Sequence, residues 1–214
     1  MRVVSWNVRS LRDDARGVAA FLRASDPDVA LIQEAPRLLL WRWSCARLAR
    51  RSGLRRVVGG APAAGNLLLV SDRVRVLQAQ AVRLPKRTGL HRRGAVIARL
   101  DLAGRSLTVL GTHLDLEPSA RLDTAVQLRA RDLPGPLLVA ADVNEPAGGP
   151  AWEALSAGLV DAGADCGPTF PRHAPVRRID GVFVDSSVAV RAVARPDPGP
   201  VTDHLPLVLI LDLA

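Results

Sequence analysis

Residues 136–145, PLLVAADVNE, restrict the folding of this chain more than any other stretch. Residues 137–141 are a short apolar run behind a Pro-Gly-Pro turn, which reads as a strand buried on both faces. Asp142 closes that strand. A carboxylate at the mouth of a buried strand has to be paired, hydrogen-bonded or bound to a cation, because burying it alone is costly. Asn144, two residues on, offers an amide on the same side if the chain stays extended there. Together the two side chains suit a water or a phosphate oxygen. The plainer alternative is an Asp that caps the following turn.

A chain of 214 residues with 48% hydrophobic content can bury one sizeable core, so a single domain over residues 1–214 is expected. A net charge of +8 and a pI near 11.2 suit a polyanionic partner, either nucleic acid or an anionic membrane surface. Nearly all of the basic residues are Arg, with Lys86 the only Lys, and such a bias arises as easily from codon composition. The start MRVVSWNVRS has no apolar core of signal-peptide length, and no run elsewhere reaches membrane-spanning length. The expectation is a cytoplasmic monomer. Cys45, in a helical segment, and Cys166, in a loop, have neither a metal-ligand spacing nor a disulfide framework and read as free thiols. The chain has no Tyr, so none serves as nucleophile or acid.

Residues 2–8 read as a strand with Asn7 at its end. Asp13 and Asp14 open a helical pattern carrying Val18, Phe21 and Leu22, and residues 28–33 form a second strand ending at Glu34. A strand, helix, strand order joins neighbouring strands by a crossover, which puts Asn7 and Glu34 at the same edge of one sheet. Residues 38–48 are helical in pattern and carry Trp41 and Trp43, followed by a basic patch of Arg47, Arg50, Arg51, Arg55 and Arg56 that reads most simply as a solvated helix end.

Residues 65–71, beginning near Asn66, form a strand, as do 73–84 and 94–102, the last preceded by Lys86, Arg87, His91, Arg92 and Arg93. A turn over 101–105 through Gly104 makes a hairpin into 107–111, and His113 follows it. A lone His at a strand end is more often structural than catalytic. Helices are expected over 119–132 and 152–157, a loop over 163–175, a strand over 178–184 paired with 187–194, a Pro-Gly-rich turn leading to 201–205 and a last strand over 206–213. There is no repeat, low-complexity segment or linker.

Motifs now appear in order along nearly the whole chain: SWN at 5–7, LIQE at 31–34, GTHLD at 111–115, ADVNE at 141–145, RIDGVFV at 178–184 and TDHLP at 202–206. In that combination the sequence resembles the endonuclease/exonuclease/phosphatase superfamily of metal-dependent phosphoesterases, which includes pancreatic-type deoxyribonuclease, abasic-site endonucleases and neutral sphingomyelinases. The resemblance implies a four-layer α/β sandwich, two packed mixed sheets flanked by helices, with the site where strand ends of both sheets converge. It implies that Glu34 is a ligand of a divalent cation, Mg²⁺ with Mn²⁺ as the alternative, and that Asn7 and Asp203 lie beside it. Asp142 and Asn144 match positions that orient the attacking water and hold the phosphate. His113 and His204 match the histidines at the scissile phosphate, and Asp180 matches the partner of His204. Asn66 and Arg93 stand where relatives often contact substrate.

The chemistry accounts for these residue types. A phosphodiester repels hydroxide, so hydrolysis gains from a cation on the phosphoryl oxygens and a polarised in-line water. Mg²⁺ prefers oxygen ligands and keeps several waters, which suits a site with few direct carboxylates. Asp142 can take a proton from that water. His204, held by Asp180, should have an elevated pKa. His113, Asn7 and Asn144 supply donors to oxygens gaining charge. The roles of base and phosphate clamp are interchangeable between Asp142 and the His204–Asp180 pair at this level.

Thr202 stands where many relatives have Ser and keeps the hydroxyl. The missing Tyr and the short loops argue against an abasic-site enzyme. The leading expectation is a Mg²⁺-dependent phosphodiesterase or nuclease. The alternatives are a phosphatase or sphingomyelinase-like hydrolase of a small or lipid phosphate ester, and a non-catalytic nucleic-acid-binding module.

Overall fold

The computed structural model describes residues 1–213. Its first sheet contains β1 (Arg2–Asn7), β2 (Val29–Gln33), β3 (Arg55–Gly60), β4 (Asn66–Val70), β11 (Ala189–Ala194) and β12 (Leu207–Asp212), in the order β11-β12-β1-β2-β4-β3. The second contains β5 (Arg75–Arg83), β6 (Gly94–Leu102), β7 (Arg105–His113), β8 (Leu137–Asp142), β9 (Val160–Asp161) and β10 (Asp180–Val184), in the order β5-β6-β7-β8-β10-β9. Both sheets are mixed, with β1 parallel to β2 and β7 parallel to β8.

Alternation along the central strands explains the layering. Val3, Leu31 and Leu138 point into the core between the sheets, while their neighbours Val4, Ile32 and Val139 point outward. The outward side chains of the first sheet are covered by α1 (Ala15–Ser25) and α2 (Trp41–Ser52), through Val18, Leu22, Cys45 and Leu48. Those of the second are covered by α3 (Pro118–Arg129) and α4 (Pro150–Ser156), where Trp152 meets Phe183 edge-on with ring centroids 5.2 Å apart. Strands apolar on both faces need this double cover. The result is the expected four-layer α/β sandwich. Gly60, with φ +80°, allows the contact between α2 and its sheet, since a Cβ there would lie 2.4 Å from the Trp41 ring.

Several local expectations change. Residues 187–194 do not pair with the 178–184 strand: β11 pairs with β12 in the other sheet, because both edges of β10 are taken by β8 and β9. Arg55 and Arg56, read as part of a basic patch, open β3. The helix expected over 38–48 begins only at Trp41, leaving residues 38–40 as an exposed lead-in. Asn144 is not extended but left-handed, with φ +56°. The hairpin turn holds, with Ala103 and Gly104 at φ +54° and +84°, the pairing that matches sheet twist.

Candidate active site

Strand register assembles the site. Asn7 at the end of β1 pairs with Gln33 at the end of β2, so Glu34 emerges beside it. In the second sheet Asp142 pairs with His113 across the parallel β7–β8 ladder and with Asp180 across the antiparallel β8–β10 ladder. One carboxylate is thereby flanked by a histidine and a second carboxylate. His204 comes from the loop before β12, where its backbone carbonyl accepts a 2.9 Å hydrogen bond from Trp6 Nε1. The loop after β1 is bound to the loop after β2 by Ser10 N donating to Glu34 O at 2.7 Å. Arg9, Ser10, Leu11 and Glu34 all have positive φ, an uncommon conformation for such residues that is typical of functional loops.

Asp142 is the hub. Its buried Oδ2 accepts from Asn7 Nδ2 at 2.7 Å and lies 3.5 Å from His113 Nε2 and 3.8 Å from His204 Nε2. Its Oδ1 accepts the backbone N–H of Asn144 at 3.1 Å, a turn bond that the left-handed Asn makes possible. Asn7 Nδ2 also donates to Glu34 Oε1 at 3.1 Å, linking the two carboxylates. On the far side of His204, Nδ1 meets Asp180 Oδ2 at 2.9 Å.

The amide donors expected to face substrate are engaged inside the protein. Asn144 Nδ2 reaches His113 Nε2 at 2.9 Å and Leu114 O at 3.0 Å. An amide nitrogen can only donate, so His113 Nε2 is the acceptor and its proton sits on Nδ1, 3.9 Å from Glu34 Oε1. Asn7 and Asn144 thus orient Asp142, Glu34 and His113 instead of presenting free N–H groups.

The two histidines are driven apart in charge. Burial pushes His113 down to about 4, with Arg93, His204 and Arg37 adding to it and Asp142 opposing. Burial disfavours charge on His204 as well, but Asp180, Asp142 and Asp203 outweigh it and raise its pKa to about 10. At neutral pH His113 is neutral and His204 is an imidazolium.

A hard divalent cation fits the Glu34 corner. The Glu34 side chain is 37% exposed, and only its Oε1 is hydrogen-bonded among the described residues. Glu34, His113 and Asp142 bring ligand atoms within 4.8 Å of one another. Oxygen donors at an open edge match a cation that keeps part of its water shell. Asn7 Oδ1 already accepts from Arg9 N at 2.9 Å, and Asp203 faces Arg9 Nε at 3.4 Å, so neither is as free as Glu34.

The cleft over this floor is about 800 Å³ and is lined by Glu34, His113, Asp142, Asn144, Asp203 and His204. Arg93 lines it too, tied to Asp115 at 3.2 Å. Asn66 does not line it: its amide donates to Ala63 O and Gly94 O, both at 2.9 Å, within the interior. Asn66 is therefore a tie between chain segments in this structure, and the substrate contact expected for it is not formed by its placement. Asp180 lies behind His204, outside the cleft lining.

Three groups around the site were not apparent in the sequence. Arg9 stands between Asp203 and Asp13 at the cleft edge, and only its place two residues after Asn7 pointed to it. Glu145 accepts from Ala151 N and Trp152 N at 2.7 and 3.0 Å, capping α4, and pairs with Arg121 at 3.1 Å. Arg121 in turn donates to Asp115 O and Leu116 O, so this buried pair holds the loop that follows His113 against the one that carries Asn144. Phe170 packs 4.7 Å from the His204 ring in a loop the sequence left featureless.

The family model of the endonuclease/exonuclease/phosphatase family matches residues 4–204. The chain belongs to that family. This endonuclease/exonuclease/phosphatase protein is 25% identical over 119 residues to tyrosyl-DNA phosphodiesterase 2 of Gallus gallus, a match covering 53% of this chain and 31% of that relative. The chain thus spans under a third of the curated relative it matches. Among solved structures, the mannosyl-6-phosphatase of Bacteroides thetaiotaomicron is similar with a TM-score of 0.82 at 16% identity, covering 100% of both chains. D. rerio TDP2 complexed with a single-strand DNA product is similar with a TM-score of 0.80 at 20% identity, over 99% of this chain and 98% of that one. At such identities these are likenesses of fold.

Proposed function

We propose that residues 1–214 act as one catalytic domain, a divalent-metal-dependent phosphoesterase that hydrolyses a phosphodiester by in-line attack of water. The observation that carries this is the convergence on Asp142, where a neutral and a charged histidine stand 3.5 and 3.8 Å from one carboxylate oxygen and Glu34 is joined to it through Asn7. Asp142 takes the proton of the attacking water. His204, charged and held by Asp180, meets the anionic phosphoryl group, and this favours Asp142 over the His204–Asp180 pair as base. His113, neutral with its proton on Nδ1, is oriented by Asn144. A Mg²⁺ or Mn²⁺ ion bound at Glu34, with Asn7 and Asp203 beside it, would supply charge neutralisation on the phosphoryl oxygens. Arg93 meets substrate in this reading, which its position in the cleft lining supports.

Both a DNA phosphodiesterase and a sugar-phosphate phosphatase stand among the similar proteins, so the ester class is the point to test. A panel of phosphodiesters, phosphomonoesters, nucleic acids and phospholipids, assayed with Mg²⁺ or Mn²⁺, should show metal-dependent turnover of a phosphodiester. Turnover of monoesters alone would move the reading to a phosphatase. Glu34→Gln should weaken metal binding by calorimetry, and unchanged affinity would remove Glu34 as a ligand. No turnover of any ester with either metal would refute the catalytic reading.

A further inference from the structure

The cleft has a second, chemically different end. Leu38, Leu39 and Leu40 follow one another at 76%, 92% and 70% exposure, and Trp43 stands 58% exposed on the first turn of α2. Leu38, Leu39 and Trp43 line the same cleft as Glu34 and Asp142. None of the four belongs to a core cluster. Isolated surface leucines need no explanation, but three in succession beside an aromatic ring, at the mouth of a functional cleft, mark a contact surface.

Charge says what covers it. From Ala35 to Ser71 the chain contains no Asp or Glu and seven Arg. Arg42 and Arg50 are exposed on α2, while Arg37, Arg47 and Arg51 are half-buried along the cleft. None of these five is in an ion pair among the described residues, whereas Arg55 at the far side of the stretch pairs with Asp72. Arg47 lies over the Trp43 ring, 4.9 Å from its centroid, which holds that guanidinium at the level of the apolar tip. Leucines and a tryptophan in a stretch rich in arginines without ion pairs complement an anionic bilayer, where the apolar groups enter the headgroup boundary and arginines meet lipid phosphates. A single-stranded nucleic acid fits less well, since bases stack on flat aromatic faces and the patch has one such ring, Trp43, with Arg47 lying over it, beside three leucines that offer none.

We propose that residues 38–43 and their surrounding arginines dock this protein on an anionic lipid surface, with the cleft opening toward the headgroups. The docking goes beyond the phosphoesterase reading and is measured without turnover, so either can fail alone.

The test is co-sedimentation of the whole chain with vesicles of phosphatidylcholine, with and without added phosphatidylserine, alongside tryptophan emission. Binding is expected only with phosphatidylserine present, with a blue shift that Trp43→Phe removes and with binding that weakens as salt rises. The double variant Leu38→Ser, Leu39→Ser should lose roughly tenfold or more of its vesicle partitioning, given the transfer free energy of leucine. Both side chains are exposed, so the variant should fold; Arg50→Gln with Arg51→Gln is the second arm and should also weaken binding. No association with anionic vesicles would overturn the proposal, as would equal partitioning of the double-serine variant. Binding of a single-stranded oligonucleotide that depends on Leu38 and Leu39, without vesicle binding, would overturn it in favour of nucleic acid.

Discussion

His113 and His204 stand on two sides of one carboxylate oxygen, both mostly buried, yet at neutral pH the first is neutral and the second a cation. Burial disfavours the charged ring in each case, so burial cannot be what separates them. Their second contacts differ. His204 has Asp180 in hydrogen-bond contact at 2.9 Å, whereas His113 has the amide of Asn144 at 2.9 Å and only the half-exposed Glu34 at 3.9 Å. Arg93 and Arg37 further oppose charge on His113. A bonded buried carboxylate decides the protonation state, and the site thereby obtains a cation and a neutral ring from the same residue type.

The change that should break this comparison most severely is Asp142→Asn, which takes away the carboxylate both rings share. Turnover should fall toward the upper part of the ~10²–10⁴ range expected for a general base, and both histidine pKa values should drop in an NMR titration. Movement of only one ring would mean that Asp142 serves one side alone.

Asp180→Asn should cost about 10² in turnover, with little change in metal affinity. The raised pKa of His204 stabilises the fold fully below the unfolded value, roughly 6.5, and this is lost as pH rises through about 10. In Asp180→Asn the alkaline loss of stability and activity should therefore move to lower pH. His204→Ala should cost as much in turnover as Asp180→Asn, and the double variant little more, because a pair acting as one unit is not additive. Losses that multiply would show two independent groups.

The smallest effect sharpens the contrast from the other side. His113 has a depressed pKa, so its contribution is intact above roughly pH 6.5 and is lost as pH falls toward about 4. Thermal unfolding across that acid window should be flatter for His113→Gln than for the parent, with the alkaline limb unchanged. An unaltered acid limb would show that His113 does not titrate there.

The apolar runs of β1, β2 and β8 were legible because strands buried on both faces leave no polar alternation, and Asn7, Glu34 and Asp142 were visible as polar groups closing those runs. Asp180 and His204 could be paired beforehand only through family resemblance, since 24 residues separate them and no local pattern links them. The hairpin at Gly104 was readable from turn chemistry. The left-handed Asn144 was not, because Asn suits an extended or a left-handed backbone equally well in a loop, and the bond to Asp142 selects between them. The pairing of Arg121 with Glu145 left no local signal in the chain, since packing alone buries the two charges against each other.

Residue order carried the buried strands and the polar groups that close them, because burial pattern and strand-end polarity are local properties of the chain, while the layering was reached through family resemblance. The partner of β11, the inward turn of the Asn7 and Asn144 amides and the different protonation states of the two histidines came from packing. Each depends on which sheet edge is free and which groups lie within about a hydrogen bond of one another, and such distances arise only after segments as far apart as Asn7 and Asp142 have closed into one cleft.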